Sequence, residues 1–366
     1  MQAKKATARQ PLFEQSQAKT LVVVGMLFWI FSGLVRSETM TLPTEKTSPV
    51  LVGTQNNRVS NQSITQPVSH NQPIRFESDF SDLKKVMLRG WVNYAKDALT
   101  SVYGELPLDN FVTVIKASND TQSESAVPWG EVRRYNPAEV ILVINAASSL
   151  IQLKEDWTIY HELSHLLIPY DANDSRWFSE GLASYYQNII QARIGLFDEQ
   201  KMWQKLYEGF ERANNQQNYR HQPLSEVSDN ISQNRNYMRI YWSGALYWLK
   251  ADILLRTAEY SSEKHSSIKQ ISSKIKSLDT ALQQLKNCCH HMYMSAQQIV
   301  EKLDQLTESK IFSSLFIKFS SSLTISDYQS LFNDLGVKSE NNQVKLIEDR
   351  HLSKYRKAIF NGAIVR

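Results

Sequence analysis

The most informative segment of the sequence is residues 157–187, WTIYHELSHLLIPYDANDSRWFSEGLASYYQ. Apolar residues recur at helical spacing on both sides of a short polar loop, which predicts helices over 155–168 and 176–193. Pro169 ends the first helix because it has no N–H to donate and its ring clashes with the preceding turn. The short loop allows the second helix to return antiparallel beside the first.

The first helix carries an HExxH motif, His161-Glu162-Leu163-Ser164-His165. Residues four apart on a helix share a face, with Cβ atoms about 5–6 Å apart, so His161 and His165 can bind one tetrahedral zinc ion. Glu162 is offset from the histidine face and can act as a general base on water. The alternative is a helix with two solvated histidines and a surface glutamate, which would keep the same apolar side.

A third candidate ligand stands in the second helix. Glu180 lies 15 residues after His165, within WFSEGLASYYQ. An antiparallel return of the chain would bring its carboxylate to the two histidines and leave a fourth zinc position for water. The alternative is an ordinary exposed acid. Ser184, one turn later, could orient a histidine ligand or could simply pack.

The rest of the chain predicts an α+β fold. A helix is expected over 80–103, then strands over 111–117 and 139–145 with a hairpin or meander between them. The pattern then becomes helical almost to the end, so a small β-sheet lobe is followed by a mainly helical lobe. The remaining predicted helices cover 199–213, 240–256, 263–286, 295–305 and 309–321, with a surface helix in the tail 345–366.

The N-terminus is typical of an exported protein. A basic tail, residues 1–19, precedes an apolar segment, residues 20–36, that contains TLVVVGMLFWIFSGLV. As a helix this run reaches about 24 Å, less than the ~30 Å hydrocarbon core, but the flanking Lys19 and Arg36 can extend to the interface. We favour an uncleaved signal anchor, which contacts the membrane through residues 20–35, over a cleaved signal peptide.

Residues 37–78 are rich in Asn, Gln, Ser and Thr and are predicted to be a disordered linker. The folded domain is then expected over residues 79–366. The expected location is a single pass through the inner membrane with this domain in the periplasm, or secretion if the segment is cleaved.

Composition excludes several classes of protein. The 366 residues have a formal net charge of +4, with 42% hydrophobic and 21% charged residues, which is typical of a globular chain and not of a disordered or fibrous one. This weak charge does not predict a nucleic-acid partner. The only two cysteines, Cys288 and Cys289, are adjacent, and we expect neither a disulfide nor a metal site with His290 and His291.

HELSH followed by WFSEGLASYY resembles the gluzincin zinc peptidases, in which the third ligand is a glutamate on the following helix. The W-x-x-E-G-x-A motif is similar to that of the aminopeptidase N and glycyl aminopeptidase families. YWSGA, residues 241–245, is similar to their Y-x-x-G-A element. Segments 277–286, 295–319 and 328–337 are similar to the helical end of the glycyl aminopeptidase domain.

The resemblance implies a thermolysin-like, two-lobed catalytic domain and a zinc metallopeptidase acting on peptides. It implies one Zn²⁺ held by His161, His165 and Glu180, with Glu162 as general base. It also implies that Tyr241 donates to the oxyanion of the tetrahedral intermediate, with Tyr237 as the second choice.

The chain also departs from these families. The spacing between His165 and Glu180 is shorter than in the aminopeptidase N family. No G-x-M-E-N strand, which in that family binds the free amine of the substrate, is present. The sequence therefore leaves endopeptidase and aminopeptidase open, together with a catalytically silent scaffold that serves in binding or assembly and a hydrolase of non-peptide amides.

Overall fold

The computed structural model describes residues 70–120, 123–170, 174–216, 218–262 and 276–362. A four-stranded sheet with one helix comes first in the chain. The sheet has the order β1-β2-β4-β3; β1 and β4 run parallel to β2, whereas β3 pairs antiparallel with β4 at the edge. These elements are β1 (Ile74–Phe76), α1 (Asp82–Thr100), β2 (Phe111–Ala117), β3 (Trp129–Arg133) and β4 (Ala138–Ile144).

The part that follows is mainly helical, with one small C-terminal hairpin made by β5 and β6. Its elements are α2 (Leu150–Glu155), α3 (Thr158–Ser164), a 3₁₀ helix (His165–Leu167), α4 (Arg176–Arg193), α5 (Glu199–Asn215), α6 (Leu224–Asp229), α7 (Ile231–Asn234), α8 (Tyr237–Ser262), α9 (Leu278–Cys289), α10 (Ala296–Thr307), α11 (Ile311–Ser320), α12 (Gln329–Asp334), β5 (Val337–Glu340), β6 (Gln343–Leu346) and α13 (Ser353–Asn361). The structure is therefore the expected mixture of a small sheet and a larger helical part.

Within the helical part, helix α4 packs against both α3 and α8. Most of its residues are buried, including those that read as polar in the sequence, such as Gln187 and Gln191. An amphipathic surface helix would expose such residues. Because α4 is enclosed, every polar side chain on it must find a partner inside the protein or remain unpaired.

The predicted helix over 155–168 is divided in two. Asp156 stands between α2 and α3, where its carboxylate accepts hydrogen bonds from the N–H groups of Thr158 (2.9 Å) and Val127 (3.0 Å). A side chain that bonds the backbone in this way competes with the helical ladder. As a result, α3 begins at Thr158 and the HExxH motif starts within its first turn.

Several other features differ from the sequence-based prediction. Strand β1 falls within the predicted linker 37–78, because its backbone pairs with β2. The tail 345–366 begins within β6, which was not predicted, and then forms α13, the helix expected there, in which Ile359 is buried. Cys288 and Cys289 form a disulfide, contrary to expectation. Of the predicted helix 263–286, residues 263–275 lie outside the described ranges.

The membrane prediction requires correction. None of the helices that the structure describes combines the length and the apolarity needed to cross a bilayer. The longest of them, α8, carries the charged side chains of Arg239, Lys250 and Asp252. This finding contradicts the transmembrane signal anchor, the membrane contact and the single-pass inner-membrane location expected from the sequence. Residues 20–36, where the sequence predicts the anchor, lie outside the described residues.

Candidate metal centre

The HExxH residues lie in the interior, where α3 packs against α1, α4 and strand β3. His161 is 3% exposed and Glu162 is 8% exposed, so the motif is not a pair of solvated histidines. His165 lies in the 3₁₀ helix that continues α3, and its ring centroid is 4.9 Å from that of His161. The two imidazoles therefore share one face, as the spacing of four predicts.

Glu180 of α4 reaches the two histidines. Its Oε2 atom is 3.1 Å from His161 Nε2 and 3.6 Å from His165 Nε2. The ligand atoms of the three residues all lie within 4.8 Å of one another. Within the described ranges, no other group of three or more His, Cys, Asp or Glu side chains converges in this way. The structure thus brings together the three residues that the sequence proposed as ligands.

The donor set fits zinc. Two atoms that each lie about 2.0–2.1 Å from a tetrahedral zinc ion are about 3.3–3.4 Å apart. The two separations between Glu180 Oε2 and the histidine Nε2 atoms, 3.1 and 3.6 Å, lie on either side of that value. Two imidazole nitrogens and one carboxylate also form a common ligand set of catalytic zinc sites, which keep one position open.

Tyr241 lies against the same cluster. Its ring stacks on His161 with centroids 5.7 Å apart and an interplanar angle of 18°. Burial, the nearby acids and a hydrogen bond with Glu180 raise the pKa of its hydroxyl well above the ordinary value. Tyr237, the second choice from the sequence, packs instead on Tyr241 at a centroid distance of 6.3 Å. Of the two tyrosines, Tyr241 is the one that contacts the candidate ligands.

Two glycines explain how α8 brings Tyr241 to Glu180. A Cβ atom on Gly244 would lie 1.9 Å from the carbonyl oxygen of Trp177, and one on Gly181 would lie 2.3 Å from the Gly244 backbone. The backbones of α4 and α8 therefore cross in direct contact at this point, which only glycine permits. Both glycines belong to the motifs read in the sequence, one directly after Glu180 and one in YWSGA.

The side chain of Glu162, on α3, packs against the backbone of strand β3. A Cβ atom on Gly130 of β3 would lie 2.5 Å from Glu162 Cγ, so the strand backbone presses directly on this side chain. Burial raises the pKa of the Glu162 carboxyl to about 8, against the opposing effect of His161. An acid with a pKa near neutrality in the interior is typical of proton-transfer groups, although structural networks also produce such shifts.

The electrostatics of the cluster favour a carboxylate among imidazoles. Burial alone would raise the pKa of Glu180, but His165 and His161 hold it below its ordinary value. Burial lowers the pKa of His165. Burial also opposes the charged form of His161, yet its hydrogen bond to Glu180 and the charge of Glu162 raise its pKa overall. Among the described residues, the two imidazoles stabilise the negative charge of Glu180, a role that a bound cation could also fill.

Sequence reasoning missed the groups that hold the two imidazoles. Ser179 Oγ is 3.0 Å from His165 Nδ1, and Gln187 Oε1 is 2.8 Å from His161 Nδ1. Ser184, for which the sequence left an orienting role and simple packing open, is buried, and its carbonyl accepts the Asn188 amide at 3.5 Å. For Gln187 the sequence did offer a signal: it stands seven residues after Glu180, and residues seven apart on a helix return to the same face.

A further contact orients the backbone of the motif. The Arg134 guanidinium, from the turn between β3 and β4, donates to the carbonyl oxygen of His165. This carbonyl belongs to the end of the helical segment, where no intrahelical donor remains for the last turn. Strand β3 and the turn that follows it therefore contact the motif at Glu162, through Gly130, and at His165, through Arg134.

Comparison with known proteins agrees with the resemblance seen in the sequence. Residues 169–253 match the family model of the M61 glycyl aminopeptidases. This stretch contains Glu180 and Tyr241, and it begins just after the HExxH motif. The resemblance to gluzincin aminopeptidases is thereby confirmed for this part of the chain. No curated protein matches the chain.

Two solved structures are similar to the chain over part of their length. An aminopeptidase N family protein from Idiomarina loihiensis is 17% identical, with a TM-score of 0.45, over 72% of this chain and 47% of that one. An M1 zinc metallopeptidase from Deinococcus radiodurans is 13% identical, with a TM-score of 0.40, over 69% of this chain and 48% of that one. The chain covers about half the length of each.

Proposed function

We propose that the protein is a zinc-dependent metallopeptidase. His161, His165 and Glu180 hold one zinc ion, Glu162 is the general base and Tyr241 donates to the oxyanion. The observation that carries the proposal is the convergence of two histidine Nε2 atoms on one Glu180 oxygen, beside a buried second carboxyl. The match of residues 169–253 to the glycyl aminopeptidase model supports the same reaction class.

The side chains have distinct roles in this mechanism. Zinc, when bound, supplies a Lewis acid that polarises a carbonyl group and increases the acidity of water. Glu162, whose ionised form a nearby cation would favour, takes a proton from the attacking water and delivers it to the leaving amine. Tyr241 donates its hydroxyl hydrogen to the oxygen on which charge develops. The burial of the site strengthens each of these electrostatic contacts, because less water competes with them.

A peptide substrate is supported by the position of β3. This strand is at the edge of the sheet, so one side of its backbone has no strand partner among the described residues. Its Gly130 is the residue that presses on Glu162. An extended peptide that pairs with this edge would therefore pass next to the proposed base, a mode of recognition that depends on main-chain hydrogen bonds.

The two-lobed arrangement expected from the sequence belongs to the same proposal. The sheet precedes the helical part in the chain, and α3 contacts both strand β3 and helix α4. We infer a thermolysin-like division, with the candidate metal centre where the sheet meets the helices. The catalytic domain would then comprise residues 79–366 together with β1.

The experiment that tests the proposal compares Glu162→Gln with wild type. We expect the variant to retain zinc and to lose about 10²- to 10⁴-fold in the cleavage rate of a peptide library, the contribution of a general base. Glu155→Gln is the matched control, because it neutralises an exposed glutamate at the end of α2. Zinc content is measured by elemental analysis, and cleavage by mass spectrometry with and without a chelator.

The outcomes separate the alternatives. A Glu162→Gln variant that still cleaves peptides would rule out the proposed base. Wild-type protein that binds zinc and cleaves no peptide would favour the binding or assembly scaffold, or a non-peptide amide as substrate. If cleavage is found, peptides blocked at the amino terminus distinguish an endopeptidase, which accepts them, from an aminopeptidase, which does not.

A further inference from the structure

The nitrogen atoms of the two histidines that face away from Glu180 are both engaged by α4. His161 Nδ1 meets Gln187 Oε1 at 2.8 Å, and His165 Nδ1 meets Ser179 Oγ at 3.0 Å. The amide oxygen of Gln187 can only accept, so the proton of His161 lies on Nδ1. Nε2, the atom 3.1 Å from Glu180, is then the nitrogen through which the ring would bind a metal ion.

We propose that Gln187 is a positioning residue for the metal ligand His161, and that its neutral amide sets the charge of the site. The proposal rests on the proposed zinc-binding function. Histidine ligands of zinc usually donate their second nitrogen to a carboxylate, a backbone carbonyl or water. A side-chain amide fixes the same tautomer without adding charge, so the ligand set carries only the single negative charge of Glu180.

Packing makes this contact specific. Gln187 is 7% exposed and His161 is 3% exposed, so water does not readily replace either partner. The imidazole is also held by the edge-on ring of Trp157, at 5.3 Å, and by the stacked ring of Tyr241, at 5.7 Å. The ring plane is therefore held by aromatic contacts, whereas the protonated nitrogen is determined by Gln187.

The same helix offers a matched control. Gln191, one turn after Gln187, is completely buried, and neither polar atom of its side chain has a hydrogen-bond partner in the described part of the chain. The substitution Gln→Leu at 187 and at 191 is therefore the same chemical change on the same helix, at two buried sites. Only the first removes a contact to a candidate ligand.

The test measures the affinity for Zn²⁺ by competition with a chromogenic chelator, without any activity assay. We expect Gln187→Leu to weaken zinc binding by about 10- to 100-fold, the usual cost of losing such a contact. Gln191→Leu should bind zinc as wild type does. Gln187→Glu, which restores the acceptor and adds a charge, should bind at least as tightly as wild type. Circular dichroism of the zinc-free proteins checks that each is folded.

Each outcome decides a different point. Equal affinity for wild type and Gln187→Leu, or an equal loss in Gln191→Leu, would overturn the role of Gln187. If Gln187→Leu fails to fold, Gln187→Glu provides the test. Zinc binding by this variant that is weaker than in wild type would overturn the proposal. Wild-type protein that binds no zinc would instead reject the proposed function itself.

Discussion

Two clusters of buried ionisable side chains lie along α4, and they are built differently. Near its start, Glu180 meets His161 and His165, and among the described residues no lysine or arginine forms an ion pair with it. Further along the helix, Asp252 and Asp279 each face a buried arginine and a tyrosine hydroxyl. These contacts are Asp252 with Arg256 (2.9 Å) and Tyr185 (3.0 Å), and Asp279 with Arg193 (2.9 Å) and Tyr186 (2.7 Å).

The difference shows which buried charges are structural. In the second cluster every carboxylate has a permanent cation and a hydrogen-bond donor, as buried charges require. In the first, ligand atoms of Glu180 and of two imidazoles converge, and among the described residues no lysine or arginine pairs with the carboxylate. A cluster of that kind could take up a cation, whereas the second already contains its cations. Substitutions in the cluster of Asp252 and Asp279 should therefore alter stability, whereas substitutions in the cluster of Glu180 should alter function.

The largest effect is expected from breaking the second cluster. Asp279→Asn leaves Arg193, whose side chain is 3% exposed, without its counter-ion. We expect the free energy of unfolding to fall by about 3–5 kcal/mol, measured by chemical denaturation, because an unpaired buried charge is costly. Zinc affinity should not change in the folded fraction.

A double variant is the control for that prediction. Arg193→Met combined with Asp279→Leu removes both charges together and should lose much less stability than Asp279→Asn alone. If the single change costs less than about 1 kcal/mol, the pair is not the structural element described above. A fall in zinc affinity would show that the two clusters are coupled.

The next largest effect tests the first cluster. Tyr241→Phe removes the hydroxyl near Glu180 but keeps the ring that stacks on His161. We expect kcat to fall by about 10²- to 10³-fold, as for the loss of one oxyanion donor, with no comparable loss of stability. Tyr237→Phe is the control and should leave kcat close to that of wild type. The reverse order of effects would reassign the donor to Tyr237.

His290 represents a third way of burying an ionisable group, by keeping it neutral. Burial, together with the charges of Arg134, Lys286 and His291, lowers its pKa to about 4. In the unfolded chain, this histidine binds a proton near pH 6.5, whereas in the folded protein it does so only near pH 4. Acidification from about pH 7 to pH 4 therefore favours the unfolded state, and up to about 3 kcal/mol of stability is lost.

Denaturation curves measured at several pH values check this prediction. His290→Gln should reduce the loss of stability on acidification, whereas His291→Gln, which alters an exposed histidine, should not. Identical pH dependence in wild type and His290→Gln would show that His290 does not contribute to acid sensitivity.

The smallest effect concerns the helix crossing that both clusters share. Gly244→Ala would place a methyl group against the Trp177 carbonyl oxygen, so we expect a destabilisation of about 1–3 kcal/mol and weaker zinc binding. Gly90→Ala in α1 is the matched control, since a Cβ atom there meets nothing within 4 Å. That change should stabilise the protein by about 0.5–1 kcal/mol. Thermal unfolding distinguishes the two, and a neutral Gly244→Ala would mean that α4 and α8 can separate without cost.

Much of the fold follows from local periodicity. The predicted strand 111–117 and the predicted helix 176–193 agree with β2 and α4. The hairpin of β5 and β6 was not predicted, although Asn341 and Asn342, both with positive φ, form a turn typical of hairpins. The break at Asp156 depends on a hydrogen bond to Val127, a residue distant in sequence, which periodicity does not report.

The sequence alone predicted which two histidines could share a metal ion, because a spacing of four places His161 and His165 on one face of a helix. Tertiary structure decided how the remaining groups meet them. The contact between Gln187 and His161, like the close approach of Gly244 to Trp177, depends on the relative rotation and separation of two packed helices. Helical periodicity describes each helix by itself, whereas rotation and separation are set by side chains from the whole core.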